Sequence, residues 1–382
     1  MTMSPQEFEN RVGSASTQGD QSEGVPSQQG ETVLELDQLT KAFGDETAVD
    51  SVSLTVEEGE LVTLLGPSGC GKTTMLRMIA GLEEPTAGRI SLGGTTVADH
   101  DRYVTPENRD VGLVFQDFAL FPHLTVAENI TFGVSDWPDE RRETRLAELL
   151  DLVDLEAHRE KFPEALSGGQ RQRVALARSL APEPDILLLD EPFSNLDVRL
   201  RLDMREEVRR ILKEAAVTTI SVTHDQEEAL SISDRVVIMN EGNLEQAGKP
   251  EVVFENPESR FVASFLGRAS FVPGRVCGDR VETSLGMLGT EQLNGPVSAY
   301  DGAEIDLLVR PHDLEAIPSN EANADGRIVH RQYNGPNFIY RVELSTGTTV
   351  RCLHNHVETF DYDQPVTVSI AADHQLAWYP AR

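Results

Sequence analysis

Apolar positions recur with two periods along this chain, and the change of period divides it. In TVLELDQLTKAFG and AVDSVSLTVEEGELVTLLG apolar and polar residues alternate, as they do in strands with one buried face. LVTLLG then runs continuously apolar to a glycine, the mark of a parallel strand buried on both faces. A helical period takes over near 139–155, where DERRETRLAELLDLVDL aligns Leu146, Leu149, Leu150 and Val153 on one face, with Pro138 near its start. A helix over Gln170–Leu180, a strand over Asp185–Leu189 and a long helix from about Val198 to Ala216 follow. In the long helix Leu200, Met204, Val208 and Ile211 fall at spacings of four, four and three. TTISVTH reads as another buried strand and DRVVIMNEGNLEQAG as a terminal hairpin. Strands alternating with helices predict an α/β domain whose sheet is largely parallel at its centre.

Beyond about residue 265 the helical period disappears. FVPGRV, GDRVETSLG, AEIDLLVRP, GRIVHRQYNGPNFIYRVELSTGTTVRCL and QPVTVSIAADHQLAWY are short strands cut by Gly, Pro and Asn turns, which predicts a small β-barrel or sandwich. The boundary falls near 245–270, where PEVVFENPESRFVASFLG makes a short helical connector. The expected organisation is a polar tail over 1–31, an α/β domain over 32–250, a connector over 251–270 and a β domain over 271–382. The tail, rich in Ser, Gln, Gly and Glu, has too little apolar surface to order itself and lacks the basic and apolar regions of a secretory signal.

Charge narrows the function classes. The chain carries 33 basic and 64 acidic residues, a net −31, and only five of the basic residues are lysine: Lys41, Lys72, Lys161, Lys213 and Lys249. Such a chain argues against nucleic acid as a partner. Its self-repulsion is nearly abolished at about 1 M salt, where the Debye length is roughly 3 Å, so origin in a salt-accumulating cell is expected. No apolar run reaches the length of a bilayer span, and a cytoplasmic protein is expected. Three scattered cysteines, Cys70, Cys277 and Cys352, suit neither a disulfide framework nor a zinc site. The HNH triplet, His354 to His356, reads as part of an exposed strand or loop.

Candidate chemistry begins at Gly66-Pro67-Ser68-Gly69-Cys70-Gly71-Lys72-Thr73, which fits G-x-x-x-x-G-K-[ST] between a predicted strand and a predicted helix. In a P-loop the glycines let backbone amides curl round phosphate at a helix N-terminus. Lys72 then reaches the β- and γ-phosphates and Thr73 gives a hydroxyl to Mg²⁺; Thr74 extends the nucleotide-binding stretch, and Cys70 reads as a small filler. In DILLLDEP an apolar strand delivers Asp190 to the Mg²⁺ shell, and Glu191 is the candidate general base for attacking water.

Leu166-Ser167-Gly168-Gly169-Gln170, just upstream of DILLLDEP, resembles the signature motif of ABC transporter nucleotide-binding subunits. The family's other marks stand in its order. Gln116 in VGLVFQDFALFPHLTV matches the Q-loop that senses Mg²⁺ or the lytic water and adjoins the membrane-subunit contact. Ser194-Asn-Leu-Asp197 matches the D-loop, His224 the switch histidine that contacts the γ-phosphate, and Phe43 the aromatic that stacks on adenine. Taken singly, Gln116 reads as a solvated loop residue, His224 as a structural histidine and Phe43 as a core aromatic. The resemblance covers about residues 33–245. It implies a P-loop NTPase core with a helical subdomain at about 117–172, ATP and Mg²⁺ as cofactors, and hydrolysis to ADP and phosphate. It also implies a head-to-tail homodimer in which Ser167 and Gly169 meet the ATP held by the other subunit.

With one P-loop, one signature and a β tail, the chain looks most like importer subunits ending in a TOBE-type regulatory domain, and LLVRPHDLEAI, Leu307–Ile317, looks like a segment of one. The implied partners are integral membrane permease subunits and, indirectly, an extracytoplasmic solute-binding protein, with the chain on the cytoplasmic face of the membrane. Phe115–His123 would offer permeases an apolar, aromatic surface, or alternatively pack internally. The look is nearest to ferric iron importers and then polyamine importers; sugar, sulfate and molybdate importers use related subunits. A regulatory ABC ATPase without transport is the alternative class.

Overall fold

A computed structural model of the chain describes residues 30–355 and 359–381, with the side chains of Val198 and Arg199 outside that description. The expected polar tail lies outside the described residues except for Gly30 and Glu31, and so does His356. Two compact units are separated between Val253 and Phe254.

The first unit runs β1 (Thr32–Phe43), β2 (Glu46–Glu57), β3 (Leu61–Leu65), α1 (Lys72–Ala80), β4 (Ala87–Leu92), β5 (Thr95–Ala98), β6 (Val111–Val114), α2 (Val126–Thr131), α3 (Asp139–Leu152) and α4 (Gly168–Leu180). It continues through β7 (Ile186–Asp190), α5 (Val198–Glu214), β8 (Thr218–Thr223), α6 (Gln226–Ile232), β9 (Arg235–Asn240) and β10 (Asn243–Gly248). An antiparallel sheet in the order β2-β1-β4-β5 accounts for the alternating N-terminal pattern. The second sheet, β10-β9-β3-β8-β7-β6, is parallel from β9 to β6, and β10 closes it antiparallel. Every residue of β3 and β8 is buried: β3 runs almost continuously apolar, while β8 sets Ile220 and Val222 among buried Thr and Ser side chains.

Register places the site. Leu65 lies opposite Thr223, and Asp190 opposite Val222, so β3, β8 and β7 end at one edge of the sheet. The residues that follow, Gly66, His224 and Glu191, therefore emerge together, where ligands bind in open α/β sheets. Helix α1 belongs to the apolar cluster containing Met75, Leu76, Met78 and Ile79, which joins both sheets. Helices α2 to α5 build another around Leu146, Leu149, Leu150, Val153, Val174, Met204, Val208 and Ile211. Each large aliphatic side chain buried there contributes about 1.5–3 kcal/mol.

Some boundaries differ from the periodic reading. Helix α4 begins at Gly168, not near Gln170, because Ser167 and Gln170 form a capping box that draws both glycines into the first turn. Helix α3 ends at Leu152 and α5 at Glu214, each short of the apolar pattern.

The second unit is all-β beyond two short helices, Pro250–Glu255, which spans the junction, and Arg260–Phe265. One antiparallel sheet orders Gly286–Gly289, Arg280–Thr283, Ser270–Cys277, Glu304–Val309 and Trp378–Pro380. The other orders Leu314–Pro318, Pro365–Ile370, Gly326–Tyr333, Asn337–Leu344 and Thr349–Asn355. Both contribute to one core, with Val272, Ile305 and Leu307 from the first and Tyr340, Val342 and Val366 from the second. An α/β P-loop core followed by a small β domain is the architecture the sequence predicts.

Candidate nucleotide site

The loop between β3 and α1 is closed too tightly for side chains at its glycines. A Cβ at Gly66 would sit 2.3 Å from the Met239 carbonyl oxygen, and one at Gly71 would sit 2.2 Å from that of Ala48. Gly69 and Gly71 also hold φ of 84° and 101°, where L-residues are strained. Lys72 is buried and its Nζ donates to the carbonyls of Gly66 and Pro67, each at 2.8 Å, with Cys70 Sγ at 3.6 Å. A fixed ammonium, a glycine cradle and a helix N-terminus make a site for the phosphates of a nucleotide.

Across the sheet edge, Thr73 Oγ1 lies 3.5 Å from Asp190 Oδ1. Burial, then the charge of Glu191, holds the Asp190 carboxyl above its ordinary range. Two hard oxygens with excess negative charge fit Mg²⁺. Glu191 follows with a φ of 46°, uncommon for a non-glycine residue, and its amide donates to the Val222 carbonyl at 3.0 Å. That turn sets its carboxylate 2.9 Å from His224 Nδ1 and 3.5 Å from Gln116 Nε2. The carboxylate only accepts, so it orients His224 with Nδ1–H toward Glu191.

Two residues of the Ser194–Asp197 stretch hold this arrangement, along with others that gave no motif. Asn195 Nδ2 donates to the Gln116 carbonyl at 2.8 Å, and Ser194 Oγ to the Glu191 carbonyl at 2.9 Å. Behind His224, Glu228 is 2% exposed, and burial pushes its carboxyl up to about 8. The Thr223 hydroxyl donates to Glu228 Oε2 at 2.9 Å. Arg178 donates to the carbonyls of Phe118 and Ala119, at 3.0 and 2.7 Å, in a segment where both residues hold positive φ. Asn129, fully buried, binds that segment again through Phe121 and Leu124. A buried asparagine and a part-buried arginine spent on loop carbonyls are legible only once the loop is built.

Ser167 to Gln170 are occupied within their own chain. Ser167 Oγ accepts from the Gln170 amide at 3.3 Å, and Gln170 Oε1 accepts from the Ser167 amide at 2.9 Å. Gln170 Nε2 also lies 3.1 Å from His158 Nε2. A Cβ at Gly169 would meet Met204 Sδ at 2.8 Å, and one at Gly168 would meet Leu196 Cδ2 at 3.3 Å. The glycines thus let α4 pack on α5, a reason the sequence reading lacked. Asp197 caps α5 through the Leu200 amide at 3.0 Å. Among the described residues, the hydrogen bonds of Ser167 and Gln170 stay local and none reaches Gly66–Thr74.

Phe43 ends β1 half exposed, with Lys41 Nζ 4.8 Å from its ring centre, so it is not the core aromatic of the alternative reading. The aromatic stretch Phe115–His123 divides between its two readings. Phe118 packs into the helical core, while Phe115 and neighbouring Phe132 stay 43% and 53% exposed, with the Phe121 ring tilted against Phe132 at 4.3 Å between centres. A cleft of about 1080 Å³ bordered by Arg145, Glu183 and Arg210 holds none of the site residues. No helix among the described residues is long and apolar enough to cross a membrane.

Comparison with known proteins agrees with this geometry. The family described as ABC transporter matches residues 49–194, and the TOBE domain family matches residues 307–378. The spermidine/putrescine import ATP-binding protein PotA of Marinobacter nauticus is 42% identical over 354 residues, covering 89% of this chain and 93% of that protein. The Fe(3+) ions import ATP-binding protein FbpC of Agrobacterium fabrum is 43% identical over 328 residues, covering 85% and 92%. Among solved structures, cbiO1 of Clostridium perfringens, part of the ABC transporter complex cbiONQ, superposes with a TM-score of 0.55 at 29% identity, covering 60% of this chain and 92% of that one.

Proposed function

The chain belongs to the ABC transporter family, and from that premise we propose that it is the ATP-hydrolysing subunit of an importer. Two copies close head to tail over ATP and drive membrane permeases that take up a solute, with ferric iron the leading candidate. The observation that carries the reading is Glu191, fixed by its turn between His224 and Gln116 at the edge where the P-loop strand also ends.

In this proposal Gly66–Thr74 wrap the phosphates, Lys72 neutralises the β- and γ-oxygens and Phe43 stacks on the adenine. Thr73 and Asp190, with Gln116 beside them, would hold Mg²⁺, which would supply neutralisation of phosphate charge. Glu191 takes the proton of the attacking water, and His224 contacts the γ-phosphate. Ser167–Gln170 and Asp197 act on the partner copy's ATP, since one chain supplies one P-loop and its own signature residues bond only locally. Residues 32–250 form the ATP-binding domain, with a helical subdomain at about 117–172, and residues 271–382 the regulatory β domain. The chain sits on the cytoplasmic face of the membrane, where exposed Phe115 and Phe132 offer permeases an apolar contact. An extracytoplasmic solute-binding protein feeds the permeases, and the net −31 suits a salt-rich cytoplasm.

Ferric iron stands first on VFQDFALFPHLTVAENITFGV and the short β tail, supported by the iron-import relative. Polyamine stands second, favoured by the spermidine/putrescine relative at similar identity. The test is ATPase activity of the chain reconstituted with its permeases and a panel of loaded solute-binding proteins. Stimulation by the ferric-loaded protein alone supports iron; stimulation only by a polyamine-loaded protein overturns it. Activity unresponsive to any permease overturns transport itself.

A further inference from the structure

In the second unit a cluster outside the nucleotide site has the donor set of a metal centre. His312 Nε2 lies 3.3 Å and His374 Nε2 3.0 Å from the same oxygen, Asp313 Oδ1. The three ligand atoms fall within 4.8 Å of one another. A tetrahedral ion with bonds of about 2.0–2.2 Å holds neighbouring ligands roughly 3.4 Å apart, so small ring rotations would close this set.

The hydrogen bonds point the same way. His374 Nδ1 lies 3.0 Å from the Gln375 carbonyl oxygen. A carbonyl only accepts, so Nδ1 carries the proton, and the neutral ring then turns a lone pair at Nε2 toward Asp313. A carboxylate also only accepts, so two lone pairs meet unless a cation, a proton or a metal, stands between them. Tying down the distal ring nitrogen in this way is how proteins orient a histidine ligand. Asp313 is 2% exposed and its other oxygen accepts from the Arg310 amide at 2.7 Å, which fixes the carboxylate. Phe254, Leu308, Leu376 and Ala377 form an apolar wall, and Glu255 adds negative charge at the rim. Both imidazoles keep part of their surface in solvent, so an ion can enter.

We propose that His312, Asp313 and His374 bind a divalent first-row transition metal such as Zn²⁺, through two imidazole nitrogens and one carboxylate oxygen. That donor set suits borderline ions over Mg²⁺, which prefers all-oxygen shells. Three protein ligands leave at least one coordination position to water, the pattern of an exchangeable ion rather than a closed structural one.

The test titrates the untagged, metal-free full chain with Co²⁺, without nucleotide, following visible absorption. One Co²⁺ per chain is expected, displaced by Zn²⁺ and not by millimolar Mg²⁺. The double variant His312→Gln, His374→Gln should lose at least tenfold in Co²⁺ affinity while keeping its melting temperature and its ATP binding. A loss below tenfold, or no binding tighter than millimolar in the unaltered chain, overturns the proposal. If the double variant fails to fold, His374→Gln alone serves as the readout against the same criteria.

Discussion

Glu228 gives the structure a pH dependence whose sign and ceiling can be worked out. Its carboxyl is 2% exposed, Oε2 accepts from Thr223, and Oε1 has no hydrogen-bond partner among the described residues. Burial raises it from the ordinary 4.5 to about 8. Below the lower value both folded and unfolded chains are protonated there and the group costs nothing. Between the two values the unfolded chain releases the proton and the folded chain keeps it, so stability falls as pH rises. Above about 8 the penalty is complete. The interval, at about 1.4 kcal/mol per pH unit, caps the penalty at roughly 5 kcal/mol. Glu228→Gln keeps an acceptor for the Thr223 hydroxyl and removes the titration. Urea unfolding of both chains from pH 5 to pH 9 in 1 M KCl checks this. The curves should meet near pH 5, and the variant should become the more stable by several kcal/mol near pH 9. Parallel curves across that range would refute the reasoning.

Other outcomes follow from the same geometry. Glu191→Gln should lower ATP hydrolysis by about 10²- to 10⁴-fold and leave ATP affinity intact; filter binding and phosphate release measure the two separately. Gly66→Ala drives a Cβ into the Met239 backbone carbonyl and should cost more than Gly169→Ala, whose Cβ meets only the flexible end of Met204. Overpacking of this kind costs about 1–3 kcal/mol, and equal melting shifts for the two variants would contradict the distinction. With a net −31, the chain should gain stability from dilute buffer to about 1 M KCl, read by circular dichroism melting; full stability in dilute buffer would count against the salt-rich origin.

The fold was legible where period and burial coincide. The five buried residues of β3 read as a nearly continuous apolar run, and the helical face of Leu146, Leu149 and Leu150 reads as a stripe. Local chemistry also showed: the glycines of the P-loop and the Ser167 cap are encoded within a few residues of where they act. Roles that depend on distant partners were not legible. The packing of Met204 against Gly169 has no sign in the sequence, and α4 starts two residues before Gln170 because the cap overrides the apolar pattern. The positive φ of Glu191 comes from a turn bonded to Val222, thirty-one residues on. Arg178 serves loop carbonyls of residues 118 and 119, and His374 meets Asp313 across sixty-one residues. Periodicity carries no information about such pairings.

The central claim is that each ATP site is shared between two copies of the chain. In a Glu191→Gln background, which slows hydrolysis, Lys72→Ala removes the P-loop cation and Ser167→Arg blocks the signature. Either variant alone leaves every shared site with one defective half. Mixing the two restores one intact site per heterodimer, made from the P-loop of one chain and the signature of the other. Analytical ultracentrifugation with ATP should find each variant monomeric alone and a dimer in the mixture, carrying one ATP for two chains. A mixture that stays as monomeric as its components would contradict the account.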